Sequence, residues 1–148
     1  MHASAVPTLV TITGPIAAGK NATAENLADR CTASGQTVII ADVDDVAAMV
    51  AGSGAAAAGL WFAAHQAHGA LVAQWMRSAA DVIIAVGPVY TKAEQDALFG
   101  GLPIDARVWR VLLDAPLAVT WERVRMTSNG VCPDNASSTN KRMSASCH

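Results

Sequence analysis

This sequence contains few charged, aromatic and cysteine residues, and each shortage excludes a class of protein. Only 15% of its 148 residues are charged and 5% are aromatic, and its three cysteines lack the spacing of a metal or redox site. With a net charge of −2 and no basic run before its tail, it lacks the charge pattern of a nucleic-acid-binding protein. The odd cysteine number and the absence of a secretory signal lead us to expect free thiols and a cytoplasmic location.

One uncharged stretch, residues 47–64, has the length of a membrane span but not its composition. It consists mainly of alanine and glycine, with Gly52-Ser53-Gly54 in the middle, so its transfer into lipid is poorly favoured. We therefore expect a buried helix and a loop here, and no association with a membrane. Because 52% of the residues are apolar, the chain is expected to form one domain with a substantial core.

Residues 8–23 are the most informative stretch, since a β-prone run there leads into a glycine-rich loop and then a helical pattern. The loop has the spacing Gly14-x-x-x-x-Gly19-Lys20. Glycines let backbone N–H groups turn inward, the helix adds its positive end, and the lysine can reach nucleotide phosphates. The sequence therefore predicts a phosphate-binding loop. Its nucleotide-contacting residues would be Gly14, Pro15, Ile16, Ala17, Ala18, Gly19, Lys20 and Asn21.

Asn21 departs from this motif, in which the residue after the lysine is a serine or threonine whose hydroxyl binds Mg²⁺. An amide oxygen is also a hard ligand suited to Mg²⁺, so we expect weakened metal binding rather than its loss. The alternative interpretation of the stretch is a glycine-rich turn with a solvated lysine.

Strand and helix patterns alternate along the chain up to residue 125. Beyond the first strand, β-prone runs cover 37–41, 81–86 and 107–113, and the longest helical pattern covers 55–78. This alternation predicts an α/β fold with a parallel sheet and helices on both faces. We expect Trp109 to lie in its core and Trp121 to anchor the last helix to the sheet.

Polar or flexible residues stand at the carboxyl ends of these predicted strands. They are Gly14, Asp42, Asp44, Gly87 and Asp114. Since the carboxyl ends of parallel strands lie at one edge of the sheet, where ligands bind, we expect these residues to share one site. An acidic cluster that caps the next helix, chiefly through Asp45, is the alternative interpretation of the aspartates.

With the loop, the Asp42-Val43-Asp44 segment and a late arginine cluster in place, residues 8–125 resemble small P-loop kinases of metabolites. The similarity is to shikimate kinase-like and chloramphenicol phosphotransferase-like proteins, in the nucleoside monophosphate kinase fold. It implies a three-layer P-loop NTPase domain with a parallel sheet of order 2-3-1-4. This resemblance implies transfer of the ATP γ-phosphoryl group to a hydroxyl group of a small molecule. It also implies that one of Asp42 and Asp44 acts as the base and the other helps position Mg²⁺ or the substrate. We assign the base to Asp44, and Mg²⁺ to Asp42 together with Asn21.

By the same resemblance, Arg123 and Arg125 lie in the segment that leads into a lid, whose arginines close over the phosphates together with Lys20. A surface salt bridge between Arg123 and Glu122 is the alternative. No arginine lies between positions 30 and 77, which favours a neutral acceptor over an anionic one. A non-catalytic nucleotide-binding module and a simple ATP hydrolase remain alternative functions.

The proteins of this resemblance continue beyond the lid with a fifth strand and a C-terminal helix. Residues 126–148 are instead polar and lack an apolar period, so we expect a disordered tail after a kinase-like domain over 1–125. Such a tail is what a truncated or frameshifted reading frame would produce, and one edge of the sheet would then be unpaired.

Two histidines lie three residues apart on the longest predicted helix, at positions 65 and 68. Three interpretations of His65 and His68 are open. They could begin a zinc site, line an acceptor pocket together with Trp61, Gln66 and Trp75, or simply pack in the core.

Overall fold

The computed structural model describes residues 6–128, in which four strands and six helices alternate. Strands β1 to β4 span Thr8–Thr13, Val38–Asp42, Val82–Val86 and Arg107–Leu112. Helices α1 to α6 span Lys20–Ala33, Val43–Ala47, Gly54–Ala57, Trp61–Trp75, Lys92–Phe99 and Leu117–Ser128. A search of these described residues finds no helix with the length and apolarity needed to cross a membrane.

The sheet has the strand order β2-β3-β1-β4, which confirms the predicted α/β fold and order 2-3-1-4. Every pairing is parallel, with Thr8 opposite both Val82 and Arg107. Strand β3 lies inside the sheet and is buried along its whole length, as its continuous apolar sequence requires. All four strands therefore end at one edge of the sheet.

Apolar residues on the two faces of the sheet form two separate core layers. On one face Leu9 and Ile83 pack with Val72 of α4. On the other face Ile12 packs with Ala24 of α1. Because successive side chains of a strand point to opposite faces, the apolar runs in β1 and β3 can serve both layers. Helices thus cover both faces of the sheet, in the predicted three-layer arrangement.

The single helix predicted over 55–78 is wrong, since the structure divides this segment into α3 and α4. Gly59 ends α3 with φ +70°. The N–H groups of Gly59 and Leu60 donate to the carbonyls of Ala56 and Ala55 over 3.1 and 2.8 Å, which is the Schellman arrangement. The end of α3 at Gly59 could not be recognised in the sequence, because the alanines on either side of it favour a helix. As a result, α4 begins at Trp61.

Helix α5 begins with the side-chain cap typical of a Thr-x-x-Glu sequence. The Thr91 hydroxyl accepts a hydrogen bond from the Glu94 N–H over 3.2 Å. In return, the Glu94 carboxylate accepts hydrogen bonds from the N–H groups of Thr91 and Tyr90, over 2.9 and 2.7 Å. Glu94 therefore holds the segment before α5 as well as the helix itself.

The predicted core positions of Trp109 and Trp121 are wrong, since these side chains are 68% and 64% exposed. Within the described residues, β4 pairs with β1 alone and is an edge strand, so no further strand shields Trp109. On α6 it is the Thr120 side chain, 7% exposed, that is buried, whereas its neighbour Trp121 points away. Helix α6 extends to Ser128, and residues 129–148 of the predicted tail lie outside the described residues.

Candidate active site

The loop between β1 and α1 has the backbone of an anion-binding site. Gly14 and Gly19 have φ angles of +151° and +90°, and Ala17 has φ +61°, a conformation that few non-glycine residues adopt. A Cβ atom on Gly14 would lie 2.4 Å from the Leu113 carbonyl oxygen, so a side chain cannot be accommodated there. Such alternation of backbone conformation is typical of nests that bind phosphate through N–H groups.

Helix α1 begins at Lys20, directly after this loop, and adds the positive end of its dipole to the same place. The Lys20 ammonium donates hydrogen bonds to the carbonyl oxygens of Gly14 and Pro15, over 3.1 and 2.8 Å. The Thr23 hydroxyl donates to the Gly19 carbonyl over 2.9 Å, so it is used within the helix. Lys20 is thus a cation that the fold holds at the phosphate loop.

Asp42 is buried at the end of β2, with an exposed fraction of 8%. Its Oδ1 atom accepts a hydrogen bond from the Asp44 N–H over 2.9 Å and so caps α2, a role that the sequence analysis assigned chiefly to Asp45. The pKa of Asp42 is raised, chiefly because the carboxyl group is buried and also because the charges of Asp44 and Asp45 are near. The hydrogen bond from the Asp44 N–H and the side chain of Asn21 act in the opposite direction.

Asn21 lies near enough to Asp42 to oppose the rise in the pKa of its carboxyl group, so the two residues assigned to Mg²⁺ lie close together. Amide and carboxylate oxygens are hard ligands of the kind that Mg²⁺ prefers. A cation there would also compensate the buried carboxylate of Asp42. The side chains present therefore fit a magnesium site.

A cleft of about 540 Å³ lies at the carboxyl end of the sheet. Its lining joins the phosphate loop to residues from α2, from α4 and from the segment after β3. The lining residues are Ile16, Ala17, Gly19, Lys20, Asn21, Ala22, Asp44, Trp61, Pro88 and Tyr90. Asp44 is exposed, which leaves its carboxylate available to a molecule in the cleft.

Arg123 contacts the phosphate loop directly, as its Nη1 atom donates to the Ala17 carbonyl over 2.9 Å. This contact joins α6 to the loop although the two residues are 106 positions apart. Arg125 lies two positions further on, about 200° around the helix axis, so the two arginines cannot face the loop together. Asp114 is exposed at the end of β4 and is not among the residues that line the cleft.

The two histidines are buried, 3% and 4% exposed, and line a small cavity beside the cleft. Trp61 lines the main cleft, but Gln66 lines a separate groove with Phe62, and Trp75 is 38% exposed. Only part of the acceptor pocket suggested by the sequence is therefore assembled. Across residues 6–128, no three metal-binding side chains converge, and the zinc interpretation finds no support.

The structure adds Pro88 and Tyr90 to the cleft, which the sequence analysis did not assign to any site. Gly87, which it did assign, is required by packing: a Cβ atom there would lie 2.3 Å from Cγ1 of Val43. The available signal for Tyr90 was its place shortly after a buried strand, together with its being the single tyrosine of the chain.

No protein-family model and no curated protein matches this sequence. The structure is similar to that of a sugar kinase from a Janibacter species, with 18% identity over 80% of this chain and 66% of that chain, at a TM-score of 0.56. An APS kinase from Mycobacterium tuberculosis matches with 11% identity over 84% and 97% of the two chains, at 0.54. A gluconokinase from Sinorhizobium meliloti matches with 16% identity over 84% and 67%, at 0.52. The chain therefore has the fold of small-molecule P-loop kinases.

Proposed function

We propose that this chain is an ATP-dependent phosphotransferase that moves the γ-phosphoryl group of ATP to a hydroxyl group of a small molecule. The observation that carries the proposal is a single cleft in which Lys20 and Asn21 of the phosphate loop lie together with the exposed carboxylate of Asp44. Phosphoryl transfer depends mainly on positioning and charge neutralisation, which this arrangement can supply. The similarity in fold to sugar kinase, APS kinase and gluconokinase structures supports it.

In this proposal the acceptor hydroxyl oxygen attacks the γ-phosphorus, the bond from that phosphorus to the bridging β,γ-oxygen breaks, and ADP leaves. Asp44 receives the hydroxyl proton as the general base. Lys20 and the N–H groups of the loop bind the phosphate oxygens, while Arg123 adds positive charge from α6. Asn21 and Asp42 would hold Mg²⁺, which neutralises phosphate charge when bound.

The lining of the cleft favours a neutral acceptor with an apolar face. Trp61, Pro88 and Tyr90 provide apolar surface in the cleft that the phosphate loop also lines. Among the described lining residues, Lys20 is the one cation, and the phosphates would engage it. Asp44 would repel an acceptor that carries a carboxylate. We therefore infer a hydroxylated, uncharged acceptor, which agrees with the absence of arginine between positions 30 and 77.

Calorimetric titration with Mg·ATP tests the nucleotide site. We expect Lys20→Ala to weaken binding about 100-fold, because it removes a charged partner of the phosphates. Lys92→Ala is the matched control, since the Lys92 side chain is exposed at the start of α5 and pairs with Asp96. Absence of binding by the folded parent chain would overturn the proposal.

Transfer is then tested with γ-labelled ATP and four acceptors, D-glucose, D-ribose, D-gluconate and benzyl alcohol. We expect Asp44→Asn to abolish transfer while the affinity for Mg·ATP stays within about threefold, because the base does not bind the nucleotide. Preference for gluconate over the three neutral acceptors would contradict the inferred acceptor class. Release of phosphate at an equal rate without any acceptor would instead indicate an ATP hydrolase.

A non-catalytic nucleotide-binding module is the second candidate. Two observations favour it: Asn21 replaces the usual hydroxyl residue, and the Lys20 ammonium is bonded to carbonyl groups of its own loop. Such a module would bind Mg·ATP with no transfer to any of the acceptors, and Asp44→Asn would change neither property.

A further inference from the structure

His65 on α4 carries an unpartnered polar atom in the interior. The side chain is 3% exposed, and among the buried side-chain atoms of residues 6–128 its Nε2 lacks a hydrogen-bond partner. The nearest acid is Glu94, whose Oε1 atom lies 3.7 Å away, just beyond hydrogen-bonding distance. A buried polar atom without a hydrogen-bond partner costs free energy, so the nearby carboxylate of Glu94 is significant.

Glu94 is held so that one oxygen remains directed at His65. Its Oε2 atom accepts the hydrogen bonds from the Tyr90 and Thr91 N–H groups, which leaves Oε1 facing Nε2. Burial raises the pKa of Glu94, but these backbone hydrogen bonds and the proximity of His65 outweigh it, so the pKa is lowered. Glu94 is therefore a carboxylate at neutral pH, and it attracts the Nε2–H tautomer of His65.

His65 and Glu94 each contact a residue that lines the cleft. The rings of His65 and Trp61 meet edge to face, with centroids 5.3 Å apart and planes at 81°. The Glu94 carboxylate accepts a hydrogen bond from the Tyr90 N–H, and both Trp61 and Tyr90 line the cleft. The contact between His65 and Glu94 thus lies between the first turn of α4 and the segment before α5.

We propose that His65 and Glu94 form a positioning pair that sets the distance between Trp61 and Tyr90 and so controls binding of the acceptor, not of the nucleotide. Closing the gap from 3.7 Å to a hydrogen bond takes a movement of less than about 1 Å, and it draws Trp61 and Tyr90 together around an acceptor. This inference rests on the proposed function of the cleft as the acceptor site.

Four substitutions distinguish the contact between His65 and Glu94 from the capping of α5 by Glu94 and from the packing of His65 in the core. His65→Leu removes the N–H donor, whereas His65→Gln keeps a donor near the position of Nε2. Glu94→Gln keeps an oxygen that caps α5 but removes the charge opposite His65, since glutamine also serves in this cap. Glu25→Gln, on the exposed face of α1, is the matched control for that change.

The first readout is the fluorescence of Trp61, which can be measured without an acceptor. For this purpose the other three tryptophans, Trp75, Trp109 and Trp121, are replaced by phenylalanine. We expect Glu94→Gln to shift the emission and to raise acrylamide quenching about twofold, while Glu25→Gln leaves both unchanged. His65→Leu and His65→Gln both lose the ring against Trp61, so the expected difference lies between them: His65→Leu, which also loses the donor, should shift the emission further than His65→Gln. The double variant His65→Leu with Glu94→Gln should match His65→Leu alone, because the two residues act as one unit. Unchanged emission in Glu94→Gln would overturn the pair.

The second readout is the KM of the neutral acceptor that the transfer assay identifies. We expect it to rise about tenfold in His65→Leu, with the Kd of Mg·ATP within twofold of the parent value. An equal rise in both constants would indicate a general structural role and overturn the proposal. If the parent transfers phosphate to none of the four acceptors, the proposed function fails, and the Trp61 emission alone decides whether the pair exists.

Discussion

Gly14 shows how one residue in the phosphate loop combines two constraints. Its φ of +151° is an angle that glycine adopts easily and other residues rarely do. Its backbone also lies so close to Leu113 that no Cβ atom fits. The glycine therefore permits the turn of the loop and its contact with the end of β4 at the same time. Substitution at this position tests packing and ligand binding together.

We predict that Gly14→Ala lowers the free energy of unfolding by about 3 kcal/mol and abolishes Mg·ATP binding, because the Leu113 carbonyl cannot move away from a Cβ atom. Gly35→Ala is the matched control: its φ is +82°, but no atom lies within 4 Å of the added methyl group. That variant should lose only about 1 kcal/mol, from backbone strain. Equal losses in chemical denaturation would refute the steric explanation.

His68 makes the stability of the chain depend on pH. It is 4% exposed, and its Nε2 atom lies 2.9 Å from the Ala41 carbonyl oxygen, which accepts a hydrogen bond from it. Burial lowers the pKa of His68 below its usual 6.5, although the bond to Ala41 opposes this, and the nearby His65 adds to the lowering. The native state therefore binds fewer protons than the unfolded state just below pH 6.5.

The contribution of His68 is consequently present above about pH 6.5 and is lost as the pH falls towards its lower folded pKa. We expect the free energy of unfolding to decrease between pH 7.5 and 5.5 in urea titrations. In His68→Gln, which keeps an N–H donor for Ala41, this decrease should be smaller. A pH profile with the same slope in both proteins would show that another group is responsible.

At the scale of the elements, the crossing of α4 and α5 is unusually close. A Cβ atom on Gly69 would lie 1.9 Å from the Ala97 carbonyl oxygen and 2.7 Å from its carbonyl carbon. A glycine in a helix normally costs stability relative to alanine, but here it allows the two backbones to touch. This contact also sets the position of α5, and hence of Glu94, against the histidines of α4.

We expect Gly69→Ala to destabilise the chain by about 2 to 3 kcal/mol, since a rigid backbone group opposes the new methyl group. Ala67→Gly, at an exposed position two residues earlier in α4, should cost only about 1 kcal/mol from helix propensity. Thermal melts followed by circular dichroism provide the comparison. Stabilisation by Gly69→Ala would show that α4 and α5 are not packed as described.

For the whole molecule, the most consequential feature is the apolar surface at β4 and α6. Trp109, Leu112, Leu117 and Trp121 are between 64% and 81% exposed. In the described part of the chain, β4 has a partner strand on one side only. An unpaired strand with large apolar side chains is prone to associate, although Arg107 and Arg110 on the same strand oppose this by charge repulsion.

We predict that the chain self-associates as its concentration rises, and that Trp109→Lys with Leu112→Lys suppresses this without lowering the melting temperature. These side chains form little of the core, so their replacement removes apolar surface only. Ile104→Lys is the control, because Ile104 is fully exposed in the loop before β4. Sedimentation velocity gives the measurement, and association that is equal in all three proteins would exclude this surface.

The sequence by itself determined the alternation of strands and helices and the glycine-rich loop between β1 and α1. These follow from local information: continuous apolar runs, glycine spacing, and the short range over which a helix or strand is specified. The strand order 2-3-1-4 was expected from the resemblance to small P-loop kinases, because no local pattern specifies which strands pair. The capping of α5 by Thr91 and Glu94 was encoded in four consecutive residues and could be predicted for the same reason.

Only the tertiary structure decided which side chains share the cleft. Trp61 and Tyr90 are 29 positions apart, and the Arg123 side chain reaches Ala17 across 106 positions, so no local pattern could reveal these contacts. Burial of Trp109 was mispredicted because a strand pattern does not show whether a neighbouring strand covers its far side. The contact of His65 with Glu94 likewise depends on how α4 and α5 cross, which side-chain packing between distant segments determines.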